Sequence, residues 1–343
     1  MKSKNLSLVA SAMLAASVVM AGSIASAEDL PQTKAHQQFS VRQGFSESSL
    51  TVLQRAAALD QNKVGAALVE QLQKGNAYQA TKDGSKLRLA GKEWSLEVAS
   101  DGSAAEYHDQ AVEARAHALA KPLSQEMPAG ELEQKGRAFI ASTLASQIVL
   151  GTGEQLVALR ADYRTEGGQD LATGEITHAV SGNRIVFGRT LNGVPVVGNG
   201  SKVIITFTND GSVESFHYDW PKYQAGTSQQ VVDAGQILTR VQTVVGAHSD
   251  VAAATSNAPV ANSEGDAYPV ALTPNTQLQS LDCGYYDAGS LAGKSQTVQP
   301  GCTYLAVSKD SNGMRAGYAG AVPAGAQFTA DGGWSETKLL GRK

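Results

Sequence analysis

The chain has 343 residues, of which 42% are hydrophobic and 17% are charged, and its 28 Lys and Arg against 32 Asp and Glu leave a net charge of −4. A chain this apolar is not wholly disordered, and this charge does not supply the basic surface that nucleic-acid binding requires. The length is sufficient for more than one hydrophobic core and predicts two or three domains.

Residues 1–27 have the features of a secretory signal peptide. Lys2 and Lys4 precede an apolar run from Leu6 to Ile24, and Ala25-Ser26-Ala27 matches an A-x-A cleavage site. A retained membrane anchor is the alternative, but bulky apolar residues are few and no block of charge follows. No later stretch is apolar for long enough to cross a bilayer. We therefore expect cleavage after Ala27 and a soluble protein that is secreted or periplasmic.

Residues 28–125 are expected to form a first unit. The sequence predicts strands at Lys86–Leu89 and Trp94–Val98, a hairpin turn at Ser100–Ser103 and an alanine-rich helix over 111–120. A break at Asp60-Gln61-Asn62 divides an earlier helical pattern into two helices. Apolar residues at spacings of three and four carry that pattern: Leu50, Leu53, Ala57, Val64, Ala67, Leu68 and Leu72.

Residues 126–224 are expected to form a second unit of the same kind, ending in a linker at Gln224–Ser228. One apolar helix face is predicted from Leu132, Phe139, Ile140, Leu144 and Ile148. The predicted strands are Gln155–Tyr163, Thr177–Thr190, Ser201–Thr208 and Ser212–Trp220, with a tight turn at Asn209-Asp210-Gly211 between the last two.

Residues 225–343 are expected to form a third unit. Val231, Ala234, Leu238, Val241 and Val245 predict a helix, and Tyr304–Ser308 with Arg315–Val322 predict a hairpin. The antiparallel turns indicate the α+β fold class, with two or three units that each pack an amphipathic helix on a small antiparallel sheet.

Cys283 and Cys302 are the two cysteines of the chain, and an oxidising compartment would allow them to form a disulfide. The bridge would close a loop of about 20 residues and stabilise the fold by about 3 kcal/mol on the chain-entropy model. Free thiols with a catalytic or metal-binding role are the alternative, but the spacing fits neither a C-x-x-C redox pair nor a zinc knuckle.

The segment Arg184–Trp220 contains the candidate binding residues. Pro195 fixes φ and lacks an N–H, so we expect Val194–Val197 to be an edge strand or a rigid loop with exposed valines. Exposed apolar residues on a fixed backbone are suited to binding a peptide or protein. The alternative is that the valines cover the core of their own domain. The candidate contacts are Arg189, Val194, Pro195, Val196 and Val197, with Asn199 and Ser201 as polar neighbours.

The same segment resembles the propeptide module of thermolysin- and fungalysin-type metalloproteases and, more broadly, PepSY-like domains. The matching positions are Phe187, Arg189, Gly193-Val194-Pro195-Val196, Gly198, Val203, Ile205 and Asp210-Gly211. The resemblance implies a PepSY- or cystatin-like helix on a curved antiparallel sheet, and a role as inhibitor, folding aid or regulator of a peptidase. No protease domain follows Trp220 in the sequence, so the resemblance implies a role in trans.

The leading hypothesis is therefore an exported, non-catalytic binding or regulatory protein whose partner is a peptidase or another exported protein. No catalytic residue, metal site or cofactor is predicted, because the chain has neither an H-E-x-x-H motif nor a G-x-S-x-G nucleophile elbow. Two alternatives stay open. One is a hydrolase whose site is assembled from His217, Tyr218 and Asp219 in a deep polar pocket, and the other is a structural module of the cell surface.

Overall fold

The structure is a computed structural model, and it describes residues 36–38, 45, 48–56, 59–75, 77–84, 86–169, 173–174, 176–254, 270–273, 276–289, 297–309, 315–326 and 338–342. The predicted signal peptide, residues 1–27, lies outside the described residues.

The described residues form far more strand than helix. The strands are β1 His36–Gln38, β2 Ser49–Arg55, β3 Gln79–Asp83, β4 Lys86–Ala90, β5 Trp94–Val98, β6 Ala104–Asp109, β7 Lys121–Pro122, β8 Glu154–Gln169, β9 Ile176–Leu191, β10 Val194–Gly198, β11 Lys202–Phe207, β12 Val213–Asp219, β13 Tyr223–Gln230, β14 Val270–Thr273, β15 Thr276–Asp287, β16 Thr297–Lys309, β17 Arg315–Pro323 and β18 Lys338–Arg342. The α-helices are α1 Gln61–Gln71, α2 Gln110–Ala116, α3 Ala129–Thr143 and α4 Ala234–Ala254, and two 3₁₀ turns cover His117–Leu119 and Leu123–Gln125.

The strands join one large mixed sheet. An antiparallel series runs in the order β3, β4, β5, β6, β12, β11, β9, β8 and β1. A second series runs β10, β15, β16, β17 and β18, in which β10 and β15 are parallel and the other neighbours antiparallel. Strand β10 also pairs with β9 and so connects the two series, and strand β2 pairs with both β13 and β16.

The two largest hydrophobic clusters of the described residues lie on these series. Helices α1 and α3 cover the first series, where Leu68 and Leu132 pack with strand residues such as Phe187 and Ile205. Helix α4 covers the second, where Val241 packs in a cluster that includes the disulfide. None of the described helices combines the length and the apolar character that crossing a bilayer requires.

The expected fold class, two or three small helix-on-sheet units of PepSY or cystatin type, is wrong. Strands from all three predicted units hydrogen-bond in one large mixed sheet with few helices. For example, Ser215–Asp219 of β12 pairs with Ala104–His108 of β6, and Val196–Gly198 of β10 pairs with Tyr285–Asp287 of β15. These pairs join residues far apart in the chain through main-chain hydrogen bonds. The side-chain pattern of a strand does not indicate which strand those hydrogen bonds will join it to. The predicted domain boundaries stay predictions.

Two predicted elements in the same region are also wrong. Leu50 and Leu53 lie on strand β2, not on a helix, and the predicted linker at Gln224–Ser228 is part of strand β13. Each strand supplies the hydrogen-bonding partner of the other. The remaining part of the helical pattern is confirmed as α1, which begins at the predicted break, where the Asp60 carboxylate caps Asn62 N at 2.9 Å.

The other predicted strands and hairpins of the first two units are confirmed, including the turns at Gly102 and Gly211, which have φ of 65° and 87°. The predicted third hairpin is confirmed as β16 and β17, although its turn lies outside the described residues. The disulfide Cys283–Cys302 is confirmed, and it joins residues that face each other in β15 and β16.

Candidate functional site

A cavity of about 730 Å³ lies between the two series of strands. Strands β8, β9, β11 and β12 form one wall, and β10, β15, β16 and the turn at Ala288–Gly289 form the other. Its volume is in the range of about 300–1,000 Å³ that is typical of ligand sites. The apolar lining includes Leu159, Val186, Pro195, Val196, Val197 and Ile204. The ionisable lining includes Arg160, Lys202, His217, Asp219 and Asp282.

The alternation of strand side chains decides which residues reach the cavity. On β11, Val203, Ile205 and Phe207 are buried in the core under the helices. Successive strand residues point to opposite faces, so Lys202 and Ile204 project into the cavity. In the register of β11 with β12, Lys202 stands opposite Asp219 and Ile204 stands opposite His217. The cavity wall therefore pairs a lysine with a carboxylate and an isoleucine with a histidine.

Strand β10 joins the two series of strands and forms part of the cavity wall. Val194 and Pro195 pair with β9, and Val196–Gly198 then pair with β15, so Pro195 stands where β10 changes its partner. The expectation of exposed valines is wrong, because Val194, Val196 and Val197 are 9%, 3% and 6% exposed. The alternative interpretation, that the valines cover the protein's own core, is confirmed by their contacts in two hydrophobic clusters.

Glycines permit the close approach of β10 to β15. A Cβ atom on Gly284 would lie 2.0 Å from the Pro195 carbonyl oxygen, and one on Gly198 would lie 2.4 Å from the Asp287 carbonyl oxygen. Gly198 also has a φ of 89°, which a side chain disfavours. Both positions therefore require glycine for the cavity wall to close.

The carboxylate of Asp287, the residue that pairs with Gly198 at the end of β10, joins side chains from β2 and β13. It accepts hydrogen bonds from the Arg55 guanidinium at 2.6 Å, from Gly289 N at 3.0 Å and from the Tyr223 hydroxyl. Arg55 also lies 3.4 Å from the Asp219 carboxylate. Burial raises the pKa of Tyr223 well above its ordinary value, and the Asp287 carboxylate raises it further. The phenol therefore remains a neutral donor in this network.

Arg189 lies at the margin of the cavity, but its guanidinium is engaged inside the protein. It donates to the Pro221 carbonyl at 2.6 Å and to Glu154 Oε2 at 2.5 Å. The guanidinium carbon also lies 4.8 Å from the ring centroid of Trp220 and 4.7 Å from that of Tyr223. Arg189 is 2% exposed, so its guanidinium binds groups of the protein itself and holds the strand ends together.

The structure brings most of the predicted contacts to the cavity. Val194 and Ser201 lie outside its lining, since Val194 packs with Leu191 and the Ser201 hydroxyl is 2.8 Å from the Tyr223 hydroxyl. Asn199 is exposed at the rim. The predicted residues that line the cavity are Arg189, Pro195, Val196, Val197 and Asn199.

Sequence reasoning missed Lys202 and Asp282. The Lys202 ammonium donates to the carbonyls of Val196 at 2.8 Å and Gly200 at 3.2 Å. Burial lowers the pKa of Lys202 to about 8, although Asp287, Asp219 and Asp282 all act to raise it. Burial raises the pKa of Asp282, and Lys202 opposes that rise. In the sequence, each of these two residues is a single charged residue next to apolar strand residues. Turns and exposed strand faces contain charged residues in the same position, so this pattern does not indicate a site.

The residues of the hydrolase hypothesis are divided between the two faces of the sheet. His217 and Asp219 line the cavity, and burial lowers the pKa of His217. Tyr218 is 1% exposed and stacks with Phe216 in the core under the helices, as the alternation of a strand requires. Within the described part of the chain, no three His, Cys, Asp or Glu residues are grouped closely enough to hold a metal ion.

No family model, curated protein or solved structure matches the chain. The resemblance of Arg184–Trp220 to the propeptide and PepSY-like modules therefore stays a prediction.

Proposed function

We propose that this is an exported, non-catalytic binding protein that takes an apolar portion of a partner polypeptide into the cavity beside β10. The observation that carries the proposal is the apolar wall formed by Leu159, Val186, Ile204 and the Pro195–Val197 segment. Concave sites with such walls and a few placed polar groups are typical of ligand recognition.

The rigidity of this wall supports binding. The Asp287 backbone pairs with Gly198 and accepts from Gly200 N at 3.0 Å, which fixes the end of β10. Arg55 and Tyr223 in turn hold the Asp287 carboxylate, and the glycines at 198 and 284 let β10 lie against β15. A wall that is already in its bound shape loses little conformational entropy when a ligand enters, and affinity rises accordingly.

Export is supported by the composition of residues 1–27 and agrees with the disulfide, since disulfides persist in oxidising compartments. The resemblance of Arg184–Trp220 to protease propeptides makes an extracellular or periplasmic peptidase the first partner to test.

The test is a pull-down from the native secretome with residues 28–343 as bait, followed by mass spectrometry. Ile204→Gln places an amide in the apolar wall, and Thr206→Gln is the matched control on the same face of the same strand but outside the cavity lining. We expect the wild type and the control to recover the same partner, and Ile204→Gln to lose it. Equal recovery by Ile204→Gln, or no partner with any bait, would contradict the proposal.

Hydrolysis is a second candidate function because His217 and Asp219 line the same cavity. A panel of peptide and ester substrates tests it, with His217→Gln as the variant. Turnover that His217→Gln abolishes would replace the non-catalytic proposal.

A further inference from the structure

Two groups of opposite charge enter the cavity from its two walls. Lys202 is on β11 in the first series of strands, and Asp282 is on β15 in the second. Both side chains line the same cavity, so one bound molecule can contact both.

The Lys202 ammonium has donor capacity that the protein leaves unused. An ammonium carries three N–H donors, and the carbonyls of Val196 and Gly200 take two of them. Among the described residues, no carboxylate oxygen lies within 4.0 Å of its Nζ. One donor is therefore available to a group inside the cavity.

The Asp282 carboxyl is in the complementary position. Thr303 donates to its main-chain carbonyl at 3.5 Å, but no described side chain or backbone N–H donates to its carboxyl oxygens. The neighbouring carboxylates of Asp219 and Asp287 differ, since both lie beside Arg55. The Asp282 carboxyl is half-buried at the cavity and can accept a hydrogen bond from a ligand N–H.

We propose that Lys202 and Asp282 together bind a main-chain amide of the bound polypeptide. The C=O of this amide accepts a hydrogen bond from Lys202, and its N–H donates one to Asp282. This inference rests on the proposed function and names the group that the cavity recognises. A ligand carboxylate would pair with Lys202 but would be repelled by Asp282. A ligand ammonium would pair with Asp282 but would be repelled by Lys202. An uncharged amide satisfies both, and the apolar wall beside it accommodates the adjoining side chains.

The experiment compares two probes that differ in one atom. The first is acetyl-Leu-Leu methylamide, and the second is its depsipeptide, in which the central N–H is replaced by an ester oxygen. Their dissociation constants with residues 28–343 are measured by ligand-observed NMR titration. We expect the wild type to bind the amide at least about tenfold more tightly, the effect of one hydrogen bond to a charged group.

The variant Asp282→Ala should bind the two probes equally, because it removes the acceptor that distinguishes them. Lys202→Met should weaken the binding of both probes, because it removes the donor to the amide carbonyl, and if this variant fails to fold, Asp282→Ala alone tests the inference. The controls Lys82→Met and Asp83→Ala lie on the exposed strand β3 and should behave as the wild type. Thermal unfolding and near-UV circular dichroism check that each variant is folded.

The outcomes separate this inference from the proposed function. If the wild type binds amide and ester equally while Ile204→Gln weakens both, the function stands and the amide inference is overturned. If Asp282→Ala still binds the amide probe more tightly than the ester probe, the amide inference is also overturned. If acetyl-leucine binds instead, and more tightly in Asp282→Ala, then Lys202 holds a carboxylate and the inference is wrong. If neither probe binds the wild type, while the pull-down recovers no partner, the proposed function itself fails.

Discussion

At the scale of single residues, Gly200 shows how the packing around Asp287 excludes a side chain. A Cβ atom at this position would lie between 2.1 and 2.5 Å from the three heavy atoms of the Asp287 carboxylate group. Asp287 is 2% exposed, and its carboxylate is bonded to Arg55 at 2.6 Å. It therefore cannot move aside to make room for an added methyl group. Gly200 is therefore required by the space that Asp287 occupies.

We expect Gly200→Ala to lower the free energy of unfolding by about 1–3 kcal/mol, the usual effect of overpacking a closed site. The matched control is Gly130→Ala, in helix α3, where an added Cβ meets nothing within 4 Å. Its stability should be unchanged or rise by up to about 1 kcal/mol, because alanine favours helix. Urea unfolding followed by circular dichroism measures both variants, and equal stability of the two would contradict this account of Gly200.

Arg189 shows what the sequence could not decide at this scale. The sequence of the segment Arg184–Trp220 predicted that Arg189 contacts a partner, and the residue does line the cavity. Whether its guanidinium faces a partner or the protein depends on Glu154, Trp220 and Tyr223, which the fold brings to it from other parts of the chain. Those contacts are tertiary, so the local sequence contains no information about them.

At the scale of elements, β2 and β13 illustrate why local pattern can fail. Leu50 and Leu53 are three residues apart, a spacing that predicts one face of a helix, whereas in a strand it places the two side chains on opposite faces. The side chains of β13 are mostly exposed and polar, which is equally typical of a linker. What makes both segments strands is their mutual pairing, Tyr223–Gln230 with Ser49–Arg55.

Amide hydrogen exchange tests this pairing. We expect peptides that cover 223–230 to exchange slowly, since backbone hydrogen bonds protect amides whatever the exposure of their side chains. The turn at Lys92–Glu93 is exposed, and among the described residues its two amides donate no backbone hydrogen bond, so it is the internal control and should exchange faster. If 223–230 exchanges as fast as that turn, then this segment is a linker as the sequence suggested and the β2–β13 pairing is wrong.

At the scale of the whole molecule, the disulfide joins two strands of the sheet beside the cavity. Cys283 and Cys302 face each other in β15 and β16, and their sequence neighbours Asp282 and Thr303 line the cavity. Both sulfurs belong to the core under α4. The bridge therefore stabilises the series of strands that forms one cavity wall.

Replacing both cysteines by alanine should lower the free energy of unfolding by about 3 kcal/mol, because the unfolded chain regains the entropy of a loop with a sequence separation of 19. Urea denaturation with and without a reducing agent measures the effect. The wild type should lose stability on reduction, whereas the double variant should not respond to the reductant. An unchanged midpoint in the double variant would mean that β15 and β16 do not depend on the bridge.

The sequence by itself determined the local features of this protein. Alternation and turn chemistry located most strands of the first two units, the Asp60 break located the start of α1, and two cysteines were sufficient to predict the bridge. These features depend on residues close together in the chain, or on a pair with a single partner each. They could be predicted because local propensity and tertiary structure agree at these positions.

Only the tertiary structure decided that the strands form one large mixed sheet, that the valines of β10 are buried, and that Lys202 and Asp282 share a cavity. The pairings of β6 with β12 and of β10 with β15 are made by main-chain hydrogen bonds, which every residue except proline can donate and accept. Side-chain patterns therefore predict that a segment is a strand but not which strand lies beside it. The cavity follows from that choice of neighbours, and for this reason its charged residues could not be predicted from the sequence.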